Sequence, residues 1–143
     1  AWARESGARP VFLGSTREME ITAAAALACR EAGAPRAIDL GGRTELEGWL
    51  GVIGSAELAL TNDTGGMHAA VVLGRRIVAV IGPTNPAKTG PWNSVPFALA
   101  RVPDLECAPC VIEAECPLVH HRCMNDLTEE SVESLLRPIR GEN

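Results

Sequence analysis

The segment Asn62-Asp63-Thr64-Gly65-Gly66-Met67-His68 concentrates the residue types that could do chemistry in this 143-residue chain. It stands between an apolar run at 58–61, which reads as a strand, and a run at 67–73, which reads as a short helix stopped by Gly74. Main-chain N–H groups at a helix start have no partner within the helix, and they point outward, so they favour an anion. Gly65 and Gly66 would let a bulky phosphate approach the backbone, and the Thr64 hydroxyl adds a donor. His68, one turn into the helix, could donate to a phosphate or sugar oxygen. Asp63 would repel a phosphate, so it must face either a sugar hydroxyl or the free N–H groups, as a cap. A routine cap by Asp63 or Thr64, with His68 packed or exposed, fits the same residues. No Gly-Lys-Ser/Thr follows, so this is not a P-loop, and no Gly-x-Gly-x-x-Gly dinucleotide pattern is present.

The elements needed to position that segment are legible as alternation. Residues 1–6 read as the tail of a helix with Gly7 as its stop. Strands are expected at 10–13, 37–40, 58–61, 77–81 and 97–101. Helices are expected at 18–32 (ended by Gly33), after Thr44 through Leu46, Leu50 and Ile53, at 67–73, and at 128–136. Thr44 is the expected cap of the second of these helices, and Asp126 or Thr128 that of the last, with Glu129 and Glu130 favourably placed in its first turn. Strand and helix in turn predict an α/β fold: a Rossmann-like parallel sheet with helices on both faces. Ligands in such sheets sit beyond the carboxyl ends of the strands, where the loops 14–17, 41–44 and 62–66 lie. The opening helix tail has no strand before it, so further residues are expected upstream of Ala1.

Composition narrows the function. The chain holds 46% hydrophobic and 22% charged residues, which suits a single folded domain of 143 residues. With a net charge of −5, no basic surplus exists to neutralise phosphates, so no nucleic-acid partner is expected. No apolar stretch approaches the roughly 20 residues of a membrane span, and no signal peptide is evident.

Four of the five cysteines lie in one segment, Cys107-x2-Cys110-x5-Cys116-x6-Cys123, with His120 and His121 inside it. The donors would suffice for tetrahedral zinc, but only the first pair has knuckle spacing. The segment reads first as a set of reduced or partly oxidised thiols under a long loop, its path fixed by Pro103, Pro109 and Pro117, with a zinc site as the weaker alternative. Cys29 falls on the apolar face of a helix and reads as core packing. Lys88 is the one lysine and sits in a Pro/Gly-rich loop, where it reads first as a solvated side chain and otherwise as one that could reach the phosphates or the acceptor. Trp92 reads either as a cleft lining or as a loop anchor.

Taken in order, these pieces resemble a family. Residues 61–68, then Ala69-Ala70, Leu73-Gly74, 77–82 and Pro83-Thr84-x-Pro86, resemble the signature region of the ADP-heptose–lipopolysaccharide heptosyltransferases, glycosyltransferase family 9. Cys107-x-x-Cys110, Cys116-Pro117-Leu118 and His120-His121-x-Cys123-Met124-x-x-Leu127 resemble the tail of its heptosyltransferase II branch. Leu40-x-Gly42-Arg43-Thr44-x-Leu46, and Gly14-Ser15 with Glu18 and Glu20, resemble two upstream stretches of the family.

The resemblance implies a GT-B enzyme, two Rossmann-like halves with a cleft between them, of which this chain is most of the C-terminal, donor-binding half. It implies that Asp63 binds heptose hydroxyls, and that Thr64, Gly65 and the following amides, with Gly66, hold the diphosphate. His68 falls at the family's donor-binding histidine. Glu18 or Glu20 would meet the ribose hydroxyls, and Arg43-Thr44 would lie beside the adenine. Inverting transfer is implied, with helix-end amides and cationic side chains stabilising the leaving diphosphate, and with no cofactor or metal. The general base and the acceptor site belong to the N-terminal half. No catalytic residue is therefore expected in this chain, and the chain alone should be inactive. The implied partners are the ADP-heptose donor and, through the other half, the lipopolysaccharide core acceptor, reached by transient membrane contact from the cytoplasm. Gly66 departs from the family's usual Pro or Ser, and Ala69-Ala70-Val71 from its Leu-Ala-Ala. A non-catalytic nucleotide-binding module, or a member using another nucleotide sugar, are the alternatives.

Overall fold

The computed structural model describes residues 2–92, 94–110 and 116–141. The chain divides into two compact units, 1–51 and 52–143.

In the first unit, a short helix α1 (Trp2–Glu5) precedes strand β1 (Val11–Phe12). A 3-10 turn (Thr16–Glu18) leads into helix α2 (Met19–Glu31), and strand β2 (Ile38–Asp39) follows. β1 and β2 pair in parallel, Val11 with Ile38 and Phe12 with Asp39. α2 packs on both strands. Thr22 and Ala26, one helical turn apart, are its buried face. Gly33 ends this helix with a left-handed backbone, φ +94°, as the sequence predicts.

Helix α3 (Leu46–Ser55) contains the boundary between the units. Thr44 does not cap it. The first helical bond runs from the Trp49 N–H to the Glu45 carbonyl at 2.8 Å, which makes Glu45 the capping position and leaves the Thr44 hydroxyl one residue too early.

The second unit is built on a three-stranded parallel sheet, β3 (Leu58–Asn62), β4 (Arg76–Val80) and β5 (Phe97–Ala100), with β4 in the centre. Leu60 pairs with Val78, which in turn pairs with Ala98. Ile77, Val78 and Ala79 are consecutive and fully buried. Neighbouring side chains on a strand point to opposite faces, so both faces of β4 are covered. Helices α4 (Gly65–Val72) and α7 (Glu129–Arg140) both pack against it. Met67, Ala70 and Val71 supply the α4 side of the core, and Leu136 the α7 side. The Thr128 hydroxyl accepts from the Ser131 N–H at 3.2 Å, which fixes Thr128 as the cap of α7. Two one-turn helices, α5 (Pro86–Thr89) and α6 (Arg122–Asn125), lie in the long connections. Among the described residues no helix is long and apolar enough to cross a membrane.

Candidate functional site

Each unit carries part of the predicted set. In the first unit, the loops after β1 and β2 are joined by the Gly42 N–H donating to the Gly14 carbonyl at 2.8 Å. Gly41 is required here: a Cβ would run into the Thr22 side chain. The Asp39 carboxylate accepts from the Gly41 N–H at 2.9 Å. That bond, then the Thr22 hydroxyl, hold Asp39 below the usual carboxylate range.

Glu18 serves the local fold first. Its Oε2 accepts from both the N–H and the hydroxyl of Ser15, each at 2.7 Å. The hydroxyl bond, then the backbone bond, hold its carboxyl below the ordinary value. Ser15-x-x-Glu18 is a capping box, a pattern legible in the sequence. Among the described residues Oε1 has no hydrogen bond. Glu20 is exposed, and Thr44 is half-buried.

The second unit brings the central motif together. α4 begins at Gly65, with Thr64 as its extended N-cap. The Thr64 hydroxyl does not cap the helix; it points back toward the Asn62 carbonyl at 3.5 Å. The Met67 N–H reaches the Thr64 carbonyl at 3.1 Å. Among the described residues nothing accepts from the Gly65 or Gly66 N–H. A Cβ on Gly65 would meet nothing within 4 Å, so the side of the helix start at Gly65 is open.

Asp63 is not a cap either. Its N–H extends the strand ladder to the Val80 carbonyl at 3.2 Å. Its Oδ2 accepts from the Thr89 hydroxyl at 2.6 Å. Thr89 ends α5, whose start is fixed by Asn85 Oδ1 accepting from the Ala87 N–H at 3.0 Å. His68 is half-buried, and its ring lies 6.3 Å from that of Trp92, inclined at 44°. Trp92 is 64% exposed, so it is not an anchor buried on the sheet. An open groove of about 570 Å³ borders the same loop, lined by Lys88, Pro91, Trp92, Phe97 and Leu99 among others. The 62–68 motif and the 85–92 loop are thus held together at two points, Asp63–Thr89 and His68–Trp92.

The cysteine segment lies beyond β5. His120 Nδ1 accepts from the Arg122 N–H at 3.0 Å, which puts the ring proton on Nε2, 4.0 Å from Cys107 Sγ. The Cys110 N–H donates to the Pro83 carbonyl at 2.9 Å. Backbone N–H groups, that of His121 foremost, hold the Cys116 thiol below its ordinary value. Burial pushes the Cys123 thiol up, and the neighbouring Cys110, Cys116 and Cys107 add to that rise. All the cysteines are free, and among the described residues no group of three His, Cys, Asp or Glu side chains could hold a metal ion.

Known proteins resemble this chain in sequence and in fold. The chain is 42% identical over 80 residues to lipooligosaccharide heptosyltransferase 2 of Campylobacter jejuni, an overlap covering 56% of this chain and 25% of that protein. It is 40% identical over 55 residues to lipopolysaccharide heptosyltransferase 2 of Salmonella typhimurium, covering 38% and 16%. The structure of E. coli ADP-heptose lps heptosyltransferase II superposes with a TM-score of 0.74 at 25% identity, over 95% of this chain and 37% of that one. A family 9 glycosyl transferase from Veillonella parvula superposes at 0.73 and 21% identity, over 99% and 39%, a likeness of fold alone. The chain thus spans a quarter or less of the length of these two curated relatives. The sequence profile described as glycosyltransferase family 9 (heptosyltransferase) matches residues 2–120. The α/β architecture with parallel strands, the ordered motifs and this match across most of its length show that the chain belongs to glycosyltransferase family 9.

Proposed function

We propose that this chain is most of the donor-binding half of an inverting glycosyltransferase that moves heptose from ADP-heptose to the inner core of lipopolysaccharide. The observation that supports this most directly is the start of α4. The Gly65 and Gly66 N–H groups have no acceptor among the described residues, the space beside Gly65 is open, and the Asp63 carboxylate is turned toward Thr89. Such a helix end favours the charge of a diphosphate and stabilises it further as the glycosidic bond breaks and negative charge grows on the leaving group. The Thr64 hydroxyl adds a donor, and His68, one turn along, a second. Asp63 has an oxygen left for a sugar hydroxyl. In the first unit, Glu18 has its Oε1 left for a ribose hydroxyl, and Thr44 lies in the loop assigned to adenine.

The general base and the acceptor site belong to the other half of the enzyme, so the 143 residues bind donor and do not transfer sugar. The whole enzyme works at the cytoplasmic face of the inner membrane, where its lipid-linked acceptor is held. Calorimetric titration of the chain with ADP, UDP and GDP tests the binding assignment. ADP is expected to bind, with Gly65→Ala weakening it. Absence of any nucleotide binding, or an unchanged affinity in Gly65→Ala, overturns the assignment.

A further inference from the structure

We infer that the 85–92 loop is the sugar-reading element of this site, with Thr89 as the residue that positions Asp63 and Trp92 as the wall against which the transferred sugar rests. The inference rests on the donor-binding reading above and adds to it a recognition role for a second loop.

The geometry divides the ligand into two parts. A diphosphate needs donors, and the open helix start at Gly65 and Gly66 has them. A sugar needs acceptors for its hydroxyls and an apolar surface for its C–H face. Asp63 can accept once something holds its carboxylate in one orientation. Thr89 does so: its hydroxyl donates to Asp63 Oδ2 at 2.6 Å in preference to the Asn85 carbonyl at 3.2 Å. One hydroxyl has one proton, so the shorter contact, to a charged acceptor, takes it. That bond engages Oδ2 and leaves Oδ1 to accept from a ligand. On the other side of the motif, the Trp92 indole is 64% exposed yet borders the His68 ring. An exposed aromatic face beside His68, in the first turn of α4, suits a sugar ring. Both residues come from the loop that starts at Asn85, whose side chain fixes the intervening turn of helix.

It follows that Thr89 and Trp92 act on the affinity difference between nucleotide sugar and nucleotide, and not on the nucleotide itself. Calorimetry of the chain with ADP and with ADP-heptose, on wild type, Thr89→Val, Thr89→Ser, Trp92→Ala and Trp92→Phe, reads this difference. The wild type should bind ADP-heptose more tightly than ADP. Thr89→Val and Trp92→Ala should each cut that advantage by about tenfold, the scale of one lost charge-assisted bond or aromatic contact, with ADP affinity unchanged. Thr89→Ser and Trp92→Phe should restore most of it. An advantage that survives both Thr89→Val and Trp92→Ala overturns the inference, and so does an equal loss of ADP and ADP-heptose binding, which would mark the loop as structural. A wild-type chain that binds ADP without any preference for the sugar also overturns it while sparing the donor-binding reading. A wild-type chain that binds neither ligand overturns that reading first.

Discussion

Asp63 and Thr89 stand 26 residues apart in the chain, and the Thr89 hydroxyl donates to Asp63 Oδ2 at 2.6 Å. This pairing holds the Asp63 carboxylate in one orientation beside the start of α4. Asp63→Asn removes the charge and keeps the shape. ADP binding should then be no weaker than in the wild type, because a negative charge near the diphosphate has gone, while ADP-heptose binding should weaken. Titration of both ligands checks the two opposite directions in one variant.

Gly65 allows the proposed binding role to be tested apart from folding. A methyl there meets no neighbouring atom within 4 Å, and alanine is the better helix former. Gly65→Ala should therefore unfold in urea within about 1 kcal/mol of the wild type. The same variant should lose ADP affinity, because the methyl occupies the approach to the amide.

Met67 does the reverse. It is fully buried and anchors the first turn of α4 against the sheet. Met67→Ala should cost about 2–5 kcal/mol, the range for emptying a core position. Urea unfolding of the chain, followed by far-UV circular dichroism, measures it.

The capping box sets a pH dependence. The folded pKa of Glu18 is depressed by its two bonds from Ser15. A depressed carboxyl contributes stability above its unfolded value and loses it as pH falls through the folded one. Asp39, held down by the Gly41 N–H and Thr22, acts in the same sense. The urea midpoint should fall as pH drops through and below the ordinary carboxylate range, and the fall should be smaller in Ser15→Ala. An equal fall in that variant contradicts the assignment.

The cysteines should react in a fixed order. Backbone N–H groups favour the Cys116 thiolate, whereas burial and neighbouring thiols disfavour that of Cys123. At neutral pH, iodoacetamide should modify Cys116 ahead of Cys123, because the thiolate is the nucleophile. Peptide mass spectrometry over a time course gives the order.

The fold was legible where local chemistry decides it. The apolar runs at 58–61, 77–81 and 97–101 became β3, β4 and β5 within one residue at each end, because buried parallel strands are continuously apolar. Gly33 and Gly74 stop their helices with positive φ. Boundaries moved where the signal is weak. α4 starts at Gly65 rather than at Met67, since glycines carry no apolar periodicity. α7 runs to Arg140, past Pro138, although proline usually ends a helix. The one-turn helices α5 and α6 are too short for a period to show. Around the 62–68 motif, the presence of a helix after the Asn62–Gly66 turn, with His68 on it, was legible from spacing. The partners of Asp63 and His68 were not: Thr89 and Trp92 arrive from a loop beyond the next strand, and only the tertiary fold brings them there. The Thr44 cap failed for a local reason, since Glu45 accepts the first helical bond in its place.

Amide-resolved 1H–15N spectra of the chain titrated with ADP test the α4 helix start most directly. The Gly65 and Gly66 resonances are predicted to shift furthest and to saturate with the calorimetric affinity. Saturable binding that leaves both glycines unmoved while resonances elsewhere shift would contradict the account.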